Sequence, residues 1–153
     1  MADVTADVAA RLPTGTANPV GACYMHVLHS EDRLINRPRF RDAQPLYTTT
    51  WAGRNGADPL EPDSGGGDIG DWYRSVRIDL AAAREYGKAV YAMSEEWVGS
   101  LTDDQVSAEL DLGPFGRHSL AYWIGFFLVT HCSHLTGEIS AVKGTFGLKG
   151  YPF

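Results

Sequence analysis

The chain has only two cysteines, Cys23 and Cys132, far apart and in apolar segments. That excludes a disulfide scaffold, and without paired cysteine spacing it excludes a zinc ribbon. There is no excess of positive charge: 13 Lys and Arg are scattered among 19 Asp and Glu, for a net charge of −6. A chain without a basic stripe lacks what phosphate-backbone binding requires, so no nucleic-acid partner is expected. No hydrophobic run is long enough to cross a bilayer, because the most apolar stretch covers only residues 120–129. Residues 1–12 have no basic start and no apolar leader segment, so a cytoplasmic, reducing location and no membrane partner are expected. Strand-like alternation of useful length and internal repeats are also missing. The glycines at 65–67 lack the strand–turn–helix setting of a phosphate loop, and no serine-triad signature is present.

What is present is ordinary globular composition, 44% hydrophobic and 21% charged, over 153 residues. One domain spanning residues 1–153 with a real core is the expectation. The first twelve residues suit a short helix, ended by Pro13, Gly15 and Pro19. Val20, Cys23, Tyr24, Val27, Leu28, Leu34 and Ile35 recur at helical spacing, and Pro38 closes that helix. Residues 37–69, rich in proline and glycine, read as a long loop, either a lid or a surface segment, with Tyr47 and Trp51 as pins. Asp68 and Asp71 occupy N-cap positions for a long stripe from Trp72 through Val90 to Leu101. Thr102 and Gln105 form a capping box. A last long helix runs over residues 118–143, with Gly144 as its C-cap. Phe146, Leu148, Tyr151 and Phe153 then need a surface to pack on, either the bundle or a second subunit. The class is all-α, three long helices plus a short N-terminal one.

The last helix carries the most chemistry. Leu120, Ile124, Phe127, His131, Leu135, Glu138 and Val142 share one face at about 100° per residue, with His134 at its edge. His131, His134 and Glu138 therefore project within roughly a 60° arc of the core stripe. Imidazole and carboxylate suit first-row metals, and bundle cores hold metals between facing helices. A satisfied polar cluster accounts for the same spacing. Glu31 falls in the centre of the first stripe, with His26 at its border and His29 pointing away. Asp79 falls between Val76 and Ala83 on the buried side of the second. Glu31 and Asp79 serve either a shared internal site or pairing with Arg74, Arg77 or a tyrosine hydroxyl. His118 reads as a capping or surface residue. Cys132 lies on a flank with nothing to lower its pKa, which argues against a nucleophile.

Two segments resemble the DinB-like (YfiT-like) superfamily of metal-binding four-helix bundles. One is Asn18-Pro19-Val20-Gly21 through His26 to Glu31-Asp32. The other runs from Thr130-His131-Cys132-Ser133-His134-Leu135-Thr136-Gly137-Glu138-Ile139 through Lys143-Gly144 to Gly147-Leu148-Lys149-Gly150-Tyr151-Pro152-Phe153. The resemblance implies an antiparallel bundle and a divalent metal, zinc or nickel, held by one histidine of the early helix and two positions four apart on the last. Those positions are His26, His131 and Leu135. Leucine cannot ligate, so His134 is the substitute third ligand, in a shifted geometry. Only a short segment precedes the proline-containing stretch, where the family has a long helix, and this makes a homodimer attractive. The implied function is a metal-dependent thiol S-transferase, isomerase or hydrolase acting on a small molecule, with a low-molecular-weight thiol as co-substrate. Glu31 and Glu138 would be the base or would orient a ligand. The alternative is a non-catalytic binding or structural homodimer with a degenerate, metal-free site.

Overall fold

The computed structural model describes residues 1–62 and 69–150. Among these, α1 spans Ala6–Ala10, α2 Val20–Asn36, α3 Ile69–Ser75, α4 Leu80–Ser100 and α5 Asp103–Ser107. Helix α6 (Leu120–Ile124) passes through a π-helical segment, Gly125–Thr130, into α7 (His131–Thr145). The joints at Gly125 and His131 keep right-handed helical angles, so residues 120–145 form one continuous rod. Two short antiparallel ladders complete the chain. In one, β1 (Ala57–Asp58) pairs with β2 (Arg77–Ile78); in the other, β3 (Glu109–Asp111) pairs with β4 (Arg117–Ser119).

Helix α2 is the axis of the molecule, packed by α1, α3, α4 and α7. Twelve of its 17 residues are buried, where the sequence pattern predicts one buried stripe. Val20, Cys23, Met25 and Leu28 on α2 meet Tyr86 and Val90 on α4, all with no exposed surface. Ile139 and Val142 of α7 complete the core. Each such side chain contributes about 1.5–3 kcal/mol through removal from water. Gly21 lets α1 come close, since a Cβ there would lie 2.9 Å from the Ala9 carbonyl oxygen.

The expected long helix from Trp72 to Leu101 is broken. Residues 77–78 leave the helix to pair with β1, and Asp79 starts α4 as its N-cap, accepting from Ala81 N at 3.0 Å and Ala82 N at 3.1 Å. Asp79 is consequently exposed and not inward: unsatisfied amides at a helix start compete successfully for its carboxylate. Gly56, at φ +97°, packs the loop against that N-terminus, where a Cβ would sit 2.5 Å from Ala83 N. The capping box of Thr102 and Gln105 is present, and α2 ends at Asn36 as Pro38 requires. Helix α7 runs one residue past Gly144, and Gly147 supplies the left-handed turn instead. Asp68, the glycines 65–67, Tyr151 and Phe153 lie outside the described residues.

Residues 37–62 are tied down by the side chain of Asp32. Asp32, fully buried, accepts from Leu46 N at 2.9 Å, Tyr47 N at 3.0 Å, the Tyr86 hydroxyl at 2.8 Å and Asn36 Nδ2 at 2.8 Å. Leu46, Tyr47 and Trp51 pack on the core from this anchor. Removing the carboxylate strands two buried amides and a hydroxyl, so Asp32→Ala is expected to cost about 3 kcal/mol or more. Tyr86→Phe is expected to cost about 1 kcal/mol, because one donor is lost and the packing stays. Urea denaturation of the two variants measures both.

Candidate functional site

The same loop delivers Glu61 into the molecule, against one face of α2. His26, His29 and Arg33 lie three, four and seven residues apart, which puts them on one side of the helix over two turns. His26 Nδ1–H donates to Glu61 Oε1 at 2.9 Å, and Arg33 Nη2 donates to the same oxygen at 3.0 Å. His29 Nδ1 is 3.5 Å from Oε2. The Glu61 side chain is 1% exposed. Burial alone would raise its pKa, but the hydrogen bond from His26, the approach of His29 and the charges of His26 and Arg33 outweigh it, holding the carboxyl down to about 2. An ionised carboxylate only accepts, so Nδ1 of His26 carries the hydrogen of this bond.

His131 meets His26 there. The rings are edge to face with centroids 5.3 Å apart. His131 is the first residue of α7, directly after the π-helical segment, whose wider turn resets which residues of the rod face inward. Its pKa is lowered by burial first and then by His26, so the neutral imidazole dominates at neutral pH. Tyr73 of α3 lies on the other side of His26, with ring centroids 5.4 Å apart. Its hydroxyl pKa is raised by burial, then by Cys23, Glu61 and Glu138, so it remains a neutral donor facing these groups.

Two turns along α7, Glu138 accepts from Asn18 Nδ2 at 3.1 Å, and its charge reaches the Cys23 thiol. That thiol is pushed up to about 12 by burial and by the Glu138 charge, which leaves it unreactive. Glu138 thus joins the start of α2, while His131 meets its middle. His134 is exposed, one turn from His131. Glu31 is not brought to the pair: it lies beside Ser94 of α4, with its pKa raised by burial. His29, expected to point away, is 2% exposed and boxed by Tyr47, Trp72 and Tyr86, because α2 has neighbours on nearly every side. His118 is exposed on β4 and stacks on Tyr122. Glu61 was missed because it sits in a proline-rich loop without periodicity. The spacing of His26, His29 and Arg33 was the signal that an acidic partner was needed.

A helical bundle with an imidazole pair between its second and last helices, supported by a buried carboxylate, is the class this geometry defines. The family profile described as the DinB superfamily matches residues 1–139, and the chain belongs to that superfamily. A crystal structure of a conserved protein from Enterococcus faecalis shares the fold, with a TM-score of 0.71 at 16% identity over 94% of this chain and 86% of that one. A search of curated proteins returned no match.

The family resemblance implies a divalent metal at this place. His26 and His131 offer two nitrogens. Leu135, 9% exposed, fills the position one turn on with an apolar side chain, and His134 points to solvent. Among the described residues no group of three or more His, Cys, Asp or Glu side chains converges closely enough to hold an ion. The donor set does not fit a three-ligand protein site.

The depressed Glu61 carboxyl links stability to acid. It is held at about 2 against an ordinary 4.5, so its contribution is complete above pH 4.5 and is lost as pH falls toward 2. Urea midpoints measured from neutral pH downward should decline through that window in the native chain. Glu61→Gln should be less stable at neutral pH and show a flatter decline.

Proposed function

We propose that the chain acts on a small molecule by proton transfer at the His26–His131 pair, an isomerase- or hydrolase-type reaction without a three-ligand metal centre. The observation that carries this reading is the 2.9 Å bond from His26 Nδ1 to the buried Glu61, with the His131 ring 5.3 Å away. His131, neutral and half-buried, takes a proton from the bound molecule or from water. His26 returns one from Nε2, and Glu61 balances the positive charge whenever both nitrogens of His26 carry hydrogen. Tyr73 supplies a neutral hydroxyl donor beside them. A zinc- or nickel-dependent S-transferase, hydrolase or isomerase would need a third donor that neither Leu135 nor an exposed His134 supplies.

The test requires no prior substrate. Chelator-treated protein is incubated in D2O with a panel of enolisable ketones, 2-oxo acids and simple esters, followed by proton NMR. The expected result is exchange or hydrolysis of at least one compound, reduced about 100-fold or more by His131→Ala, the scale of a lost general base. A panel inert until one equivalent of zinc binds, with that zinc lost in His131→Ala, would overturn the reading in favour of the metal enzyme.

A homodimer is a second element of the proposal. It is supported by Tyr122, Phe126 and Val129, which leave 47%, 41% and 63% of their surface exposed along one side of the α6–π segment. Sedimentation analysis of the native chain and of Val129→Glu checks it, with a dimer expected for the first and a monomer for the second.

A further inference from the structure

On the other side of α2 from the imidazole pair lies a cavity of about 580 Å³, and none of His26, His131 and Glu61 lines it. Tyr24 and Val27 of α2, Tyr91 of α4 and Ile139 of α7 form its walls. The helical phase explains the separation. Tyr24 and Val27 stand well around the helix from His26 and His29, and Cys132, Thr136, Ile139 and Lys143 follow a different strip of α7 from His131 and Glu138. The volume is that of a pocket for a small organic ligand, and the walls are mostly apolar.

One end differs from the walls. Lys143 and Lys149 both line the cavity. Lys143, only 7% exposed, binds Asp3 Oδ1 at 2.7 Å. Lys149 is exposed and has no hydrogen bond or ion pair among the described residues. Arg84 adds a third positive charge: its Nη2 donates to the Met1 and Val4 carbonyl oxygens at 2.8 and 3.1 Å, neutral acceptors that leave the charge uncompensated. Its field reaches the hydroxyl of Tyr24 in the cavity wall. Lys143, Lys149, Arg84 and the Met1 ammonium thus stand near Asp3, while the charge of Glu31 reaches Tyr91 and Cys132 in the lining, so positive charge exceeds negative here in a chain whose net charge is −6. Charge of this sign beside an apolar chamber matches an anion attached to an apolar body.

We propose that this cavity is a second ligand site, for an amphipathic monocarboxylate whose apolar part lies between Val27, Tyr91 and Ile139 and whose carboxylate meets Lys143 and Lys149. The ligand need not be the molecule transformed at the imidazole pair, and the two sites fail separately.

Calorimetric titration of the full chain with decanoate tests this. The expected result is saturable binding at one site, at least fivefold weaker for 1-decanol, which has the same chain length and no charge. Lys149→Glu, an exposed substitution, should weaken decanoate at least fivefold. Thr136→Trp, also at an exposed position, should fill the cavity and abolish binding. His131→Ala should bind decanoate as the native chain does, which separates this site from the imidazole pair. Absence of saturable binding, equal affinity for decanol, or indifference to both Lys149→Glu and Thr136→Trp would overturn the proposal.

Discussion

A carboxylate removed from water must be met by donors and positive charge, and this requirement organises the molecule. Glu61 meets it at Oε1 with His26 and Arg33, with His29 3.5 Å from Oε2, and Asp32 meets it with two loop amides and the Tyr86 hydroxyl. Both carboxylates join α2 to residues 37–62. The long loop is therefore a structural layer over the central helix. The orientation of His26 depends on that layer, since the partner of its Nδ1 comes from the loop.

The histidines consequently differ in their surroundings. His29 is enclosed by aromatic rings and by Glu61, which makes it part of the support. His26 has the same carboxylate at its Nδ1 and the rings of Tyr73 and His131 beside it. His131 arrives from a different helix at the point where the π-helical segment ends. Leu135, one turn on, packs into the core. On the opposite side of α2 the polarity pattern is different again, with lysines at the end of an apolar chamber.

Much of the fold was legible from local rules. Pro38 stopping α2, Thr102 and Gln105 forming a capping box, and the pinning of the loop by Tyr47 and Trp51 each rest on neighbours a few residues away or on one large apolar side chain seeking cover. The helix break at residues 76–79 was not legible, because it depends on pairing with β1 twenty residues earlier. His29 was misplaced for a related reason. Periodicity assumes one buried face, whereas a central helix is covered nearly all round, and its polar residues then point inward wherever partners exist.

The chain's own sequence determined the helical class, most helix boundaries, the meeting of His26 with His131 through the superfamily's pattern, and the absence of a donor at Leu135. These follow from spacing and side-chain chemistry, which act locally. Only the tertiary structure decided that Glu61 lies beneath His26, that Glu31 turns to Ser94, and that His134 faces water. Those outcomes depend on which surfaces remain to be covered once α2 is enclosed, and that is settled by packing between segments distant in the chain.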